Sequence, residues 1–145
     1  MAAPTYTWQF VEDLFGDRVP KIVTMEASSN LETKVGTALI ITSGRLDEAT
    51  ATVVKLFGLA AEATSAAATA GDPIRVEVLF DGALIKGKAN ADASALAGFN
   101  GKLGDFHTDG SLDVADTTDG CLSVLRTEDS GLTVYCVCTV GAIIP

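Results

Sequence analysis

Ala70–Ala89 reads AGDPIRVEVLFDGALIKGKA and constrains the fold more than any other stretch. Ile74, Val76, Val78 and Phe80 alternate with Arg75, Glu77, Leu79 and Asp81. Strand residues point alternately to opposite faces, so this period predicts a strand with one apolar face. Pro73 suits a first strand position, where no N–H is owed to the ladder. Asp81-Gly82 is a pair favoured in two-residue type I′ loops. The stretch therefore predicts a β-hairpin pairing Phe80 with Ala83, Val78 with Ile85 and Glu77 with Lys86. Arg75 would oppose Lys88, a mildly unfavourable match that weakens the open end.

Further strands and turns follow the same reasoning. Val35–Thr42 (VGTALIIT) is β-rich and closed by Ser43-Gly44, after which Arg45–Glu48 returns as a short strand. Thr52–Ala61 is expected as a strand, because Thr52-Val53-Val54 is β-branched and Gly58 argues against a helix. Glu62–Ala70 is expected as a loop or short helical turn. Asp92–Ala97 reads as one short helix capped by Asp92 and ended by Gly98. Gly101–His107 and Ser111–Val114 flank an Asp109-Gly110 turn. Cys121–Thr127 and Leu132–Val140 flank Glu128–Gly131. In the last strand Leu132, Val134, Cys136, Cys138 and Val140 share one face. Short strands at this spacing predict a mainly β, small β-barrel or β-tulip-like domain with one short helix.

The N-terminal segment stands apart. Tyr6, Trp8, Phe10 and Phe15 are four of the nine aromatic residues. Tyr6, Trp8 and Phe10 alternate, so a strand would carry them on one face. That face either packs on the chain's own core or docks on a partner as an extended arm. The organisation expected is a 1–34 arm and lead-in segment followed by a 35–145 β-domain.

Composition excludes several functions. The formal net charge is −9, with ten scattered basic residues and no basic footprint of the kind that displaces phosphate counterions. No nucleic-acid partner is expected. No run spans a bilayer, since Gly131–Pro145 is too short and is interrupted by Thr, Gly and Pro. No membrane partner is expected either. The N-terminus lacks a basic region followed by an apolar core, so no signal peptide is expected. Three cysteines, an odd number, argue against a disulfide framework and fit free thiols in a cytosolic setting.

Each candidate constellation for chemistry is weak. His107 is the only histidine and has Asp105 and Asp109 two residues to either side, an arrangement known in general bases and metal ligands. The Asp109-Gly110 turn breaks that alignment and favours a surface histidine. Cys136 and Cys138 lack the turn-like spacing and the ligand number of a zinc site and read as buried thiols. Gly98, Gly101 and Gly104 sit in GFNGKLG, which has no Ser or Thr after Gly-Lys and no following helix, so a phosphate loop is not indicated. Asp113, Asp116 and Asp119 do not match a calcium loop. No serine occurs in G-x-S-x-G. Neither cofactor nor enzymatic activity is expected.

The order VGTALIITSGRLDEAT, VVKLFGLAAEAT, AGDPIRVEVLFDGALIKGKA, ADASALAGFNGKLG and DGSLDVADTTDGCLSVLRTEDSGLTVYCVCTV resembles the head decoration, or cement, proteins of tailed bacteriophages. The likeness covers Val35–Val140 and is one of layout and composition, with no invariant motif. It implies a β-barrel-like protein on the outer capsid surface of the virion, made in the host cytoplasm. It further implies a homotrimer that clamps neighbouring major capsid protein subunits and stabilises the expanded shell. Such families carry no catalytic residues. On this view the candidate partner contacts are Tyr6, Trp8, Phe10 and Phe15, with the exposed Asp81-Gly82 tip. The alternatives are another virion component, such as a tail-tube or head-completion protein, a ligand-binding β module, and an enzyme using His107.

Overall fold

The computed structural model describes residues 3–50 and 55–138. Thr52–Val54 of the expected strand Thr52–Ala61, and Thr139 and Val140 of the expected last strand, lie outside the described residues. The chain is mainly β, as the alternation and turn signals imply. Eleven strands are described: β1 (Gln9–Asp13), β2 (Lys21–Glu26), β3 (Ala38–Thr42), β4 (Arg45–Glu48), β5 (Gly58–Ala60), β6 (Pro73–Val78), β7 (Ala83–Lys88), β8 (Asp105–Phe106), β9 (Leu112–Asp113), β10 (Leu122–Glu128) and β11 (Thr133–Cys138). The expected helix is a single 3₁₀ turn, Ser94–Leu96, whose Ser94 N–H donates to the Asp92 side chain at 2.9 Å.

The strands form a four-stranded sheet, β1-β7-β11-β10, a five-stranded sheet, β2-β6-β5-β3-β4, and a small β8-β9 pair. All named pairings are antiparallel. The five-stranded sheet curls until the end of β2 meets β4 at one parallel bridge, Ala27–Leu46. The ladder does not continue there, so the sheet stays open and no closed barrel forms among the described residues.

The hairpin expected across Asp81-Gly82 does not form. β6 pairs with β2 and β5, whereas β7 pairs with β1 and β11. Glu77 lies opposite Ile22 and Leu59, and Lys86 opposite Gln9 and Tyr135. The turn explains why. A type I′ loop needs positive φ at both central residues, and here only Gly82 has it, at 90°. The Ala83 N–H donates to the Phe80 carbonyl at 3.0 Å, so the chain makes a type II-like turn that passes from one sheet to the other. Leu79 and Phe80 are both buried, which a strand with one wet face does not allow.

Ser43-Gly44 behaves as expected. Both residues have positive φ, 50° and 79°, and Thr42 pairs with Arg45. The β8-β9 and β10-β11 hairpins also form around their expected turns.

The N-terminal segment is not a free arm. β1 is hydrogen-bonded along β7 and β2 along β6, across the expected boundary at residue 34. One core fills the space between the two sheets, with Ile85, Val124, Cys136, Leu59, Phe106 and Trp8 among its members. A second lies on the other face of the five-stranded sheet, where Leu39, Leu46, Ile74 and Val76 pack under Leu31 and Ala68. That sheet is therefore covered on both faces along Ala38–Ile40, which accounts for the apolar run there, while Ile41 is exposed.

Candidate functional site

The four N-terminal aromatics divide by role. Trp8 is 3% exposed. Its indole N–H donates to the Gly110 carbonyl at 2.8 Å, and its ring meets Phe106 edge-on at 5.7 Å. The ring lies flat against Gly87, where a Cβ would overlap it. Phe10 is half-buried and packs edge-on against Phe80 at 5.9 Å. The alternation does place these rings on one face, and that face looks into the protein. Trp8 is thus a core residue, and the partner-contact alternative does not hold for it, because β1 is a sheet strand whose inner face is covered. Tyr6 stays partly exposed at the rim, its N–H bonded to the Asp109 carbonyl at 2.8 Å.

Phe15 is the opposite case, 76% exposed just beyond the end of β1. It belongs to a braced turn. The buried Asp13 carboxylate accepts from the N–H of Phe15 at 2.9 Å, the N–H of Arg18 at 3.1 Å and Arg18 Nε at 2.9 Å. The Arg18 guanidinium beside it, helped by those two backbone donors, holds the Asp13 carboxyl down at about 2 against the cost of burial. Arg18 also donates to the Asp81 carbonyl at 2.8 Å and stacks over Phe80 at 4.3 Å. The Leu14 N–H donates to the Gly82 carbonyl at 2.9 Å. The Phe15 ring rests on Gly82, whose missing side chain leaves it room.

The structure therefore gathers Phe15, Asp81 and Gly82 into one knob and separates them from Trp8. The expected exposed tip is Asp81 alone, because Gly82 is buried under the Phe15 ring. Val19 and Ile22 are exposed at 74% and 56%, and Val11 stands out at a bulge in β1. Together with Phe15 they place an apolar series along residues 11–22 of an acidic protein. Sequence reasoning missed Asp13, Arg18 and Val19. The available signal was Asp13 followed by Gly16, Asp17 and Arg18, a composition typical of side-chain-braced turns.

Beside β1 runs an open groove of about 710 Å³. Its lining includes Tyr6, Phe10, Val35, Glu77, Lys86 and Lys88. Burial pushes the Glu77 carboxyl up. Lys88 Nζ donates to Thr133 Oγ1 at 3.0 Å, and Lys86 lies 5.5 Å over the Tyr135 ring, which Arg126 covers from 3.6 Å.

The constellations considered for chemistry are dispersed. His107 Nδ1 lies 3.2 Å from Asp109, whereas Asp105 is buried and accepts from the Phe106 N–H at 2.8 Å. Cys121, Cys136 and Cys138 are free and buried. Burial drives all three thiols up, Cys138 to about 12, so their reactive thiolate forms are disfavoured. Asp113 holds Asn90 Nδ2 at 3.2 Å and the Ala115 N–H at 3.1 Å. Gly98 and Gly101 have φ of 84° and 87°, the conformation of turn glycines. Among the described residues no group of three or more His, Cys, Asp or Glu is placed to hold a metal ion, and no helix is long and apolar enough to cross a membrane.

No protein-family model matches the chain, and no curated protein matches it.

Proposed function

We propose that this protein is a virion structural protein that decorates the outer capsid surface and bridges major capsid protein subunits, so stabilising the expanded shell. The observation that carries the reading is the exposure of Val11, Phe15, Val19 and Ile22 within one short segment of a chain of net charge −9. Exposed apolar groups rimmed by charge mark association surfaces. Phe15 is held in place by Asp13, Arg18 and Gly82, so little conformational freedom is lost when it docks.

Magnitudes favour a multivalent clamp. Burying Val19 and Ile22 contributes about 1.5–3 kcal/mol each, or roughly 3–6 kcal/mol together. Association costs about 4–15 kcal/mol in lost freedom, so a single contact is weak. Three contacts linked in a homotrimer raise avidity by about 10²–10⁴. Binding energy available only from the assembled lattice stabilises that lattice by linkage.

The test is to mix purified protein with empty expanded capsids of the parent virus and image them by electron microscopy. Density over the three-fold or quasi-three-fold positions supports the reading, and Val19→Asp, at a site 74% exposed, should reduce it without unfolding the protein. Assembly into rings or tubes with bare shells would assign the chain to the tail instead.

A further inference from the structure

We infer that the Phe15 knob of one copy seats in the Tyr6–Phe10 groove of a second copy, with Asp17 of the knob facing Lys86 and Lys88 of the groove. The two surfaces complement each other in shape and in charge. The knob presents one large ring; its exposed charged residues are Glu12, Asp17 and Asp81, with Arg18, whose guanidinium is held by Asp13. The groove offers aromatic and aliphatic wall from Tyr6, Phe10 and Val35. Among its described lining residues the cations are the exposed Lys86 and Lys88; Glu77 also lines it, and Lys88 Nζ lies 4.0 Å from Asp129. At about 710 Å³ it falls within the roughly 300–1,000 Å³ of a ligand-sized cleft, ample for an aromatic side chain and its turn.

The knob cannot serve its own groove. The groove flanks the start of β1 and the knob follows its end, and five strand residues span about 17 Å. Phe15 is also fixed onto Gly82 of its own chain. Each copy thus carries one donor and one acceptor surface at opposite ends of the same strand. Head-to-tail contacts of this kind close into rings when the rotation permits. The ring of three rests on the capsid reading above; the knob-in-groove contact does not. Val19 and Ile22, further along the exposed segment, remain for the shell.

Carbodiimide coupling of an equal mixture of ¹⁵N-labelled and unlabelled protein tests the contact. The reagent activates the Asp17 carboxylate, the Lys86 or Lys88 amine attacks the acyl carbon, an amide bond forms, and the activated oxygen leaves on the urea. Asp17–Lys86 or Asp17–Lys88 peptides of mixed isotope are expected, alongside concentration-dependent sedimentation up to about 1 mM. Asp17→Lys should weaken association about tenfold, and adding Lys86→Glu should restore it. Phe15→Ser should weaken it at least as much. Sedimentation as a monomer throughout, cross-links confined to single chains, or association unchanged in Asp17→Lys and Phe15→Ser would each overturn the inference. Association unchanged in those two variants while Val19→Asp still strips the shell would overturn it and leave the capsid reading intact. Mixed-isotope cross-links from a protein that binds no shell would do the reverse.

Discussion

Replacing Trp8 by Ala is the sharpest test of which aromatic belongs to the core. An aromatic side chain buries about 150–250 Å². At about 25 cal/mol per Å², that burial amounts to about 4–6 kcal/mol. Large-to-small deletions of buried Trp and Phe cost about 3–5 kcal/mol, and a hydrogen bond such as that to Gly110 adds about 1 kcal/mol. The expected loss is therefore about 4–6 kcal/mol, out of a total stability of about 5–15 kcal/mol. In a chain of this length that lowers Tm by about 8–24 °C. Phe15→Ala, at a site 76% exposed, should stay within about 0.5 kcal/mol of the parent. Because Trp8 is the sole tryptophan, its fluorescence vanishes with the substitution, so urea unfolding must be followed by far-UV circular dichroism. Removing residues 1–15 should be more damaging still, since it takes away β1 and bares the edge of β7. A Trp8→Ala protein within about 1 kcal/mol of the parent would refute the core assignment.

Gly82→Ala should destabilise by about 1–2 kcal/mol through its positive φ and should displace the Phe15 ring, seen as changed Phe15 shifts in NMR spectra. Asp13 titrates at about 2 in the folded protein, below the about 3.9 of a free aspartate. Its contribution is therefore full above about pH 4 and is lost as pH falls towards 2, whereas Asp13→Asn should remove that acid-side loss from urea midpoints measured across the range. The three thiols should resist Ellman's reagent in native buffer and all react in denaturant; rapid native labelling would contradict their burial.

Where local chemistry decides the outcome, residues and structure agree. Ser43-Gly44 accepts positive φ at both turn positions and has short strands on either side, so the β3-β4 hairpin follows from the residues alone. Asp92 accepts from the Ser94 N–H but is not the cap it was expected to be: Ala93 holds the N-cap position of a single 3₁₀ turn. Asp81-Gly82 misled because the same pair fits both a hairpin and a corner between sheets. The distinguishing sign was Leu79, a bulky apolar residue at a position the hairpin leaves wet. Its full burial shows the chain crossing between layers. Trp8 was undecidable from alternation, which gives the face but not what that face meets. Its partners, Gly87, Phe106 and Gly110, are brought to it only by tertiary folding. The bracing of Phe15 by Asp13 and Arg18 shows the same limit, because Asp81 completes it from far along the chain.

The position of the exposed segment follows from topology. β1 is the outer strand of one sheet and β2 the outer strand of the other, so the turn between them spans from sheet to sheet. Outer strands present unpaired backbone to any incoming chain. The bulge at Val11 blunts that tendency on β1, because it interrupts the regular ladder and turns an apolar side chain outward. Recognition at β1 therefore falls to side chains rather than to strand addition. β2 keeps a regular register with β6 along all six residues, and its other side meets β4 only at the Ala27–Leu46 bridge. A partner gripping Phe15 and Val19 pulls on both sheets at once. That load returns to the core through Trp8 on one side and through the β2-β6 ladder on the other. The residues that bind and the residues that fold thus lie within one short segment. Substitutions at Trp8 and Phe15 separate the two functions.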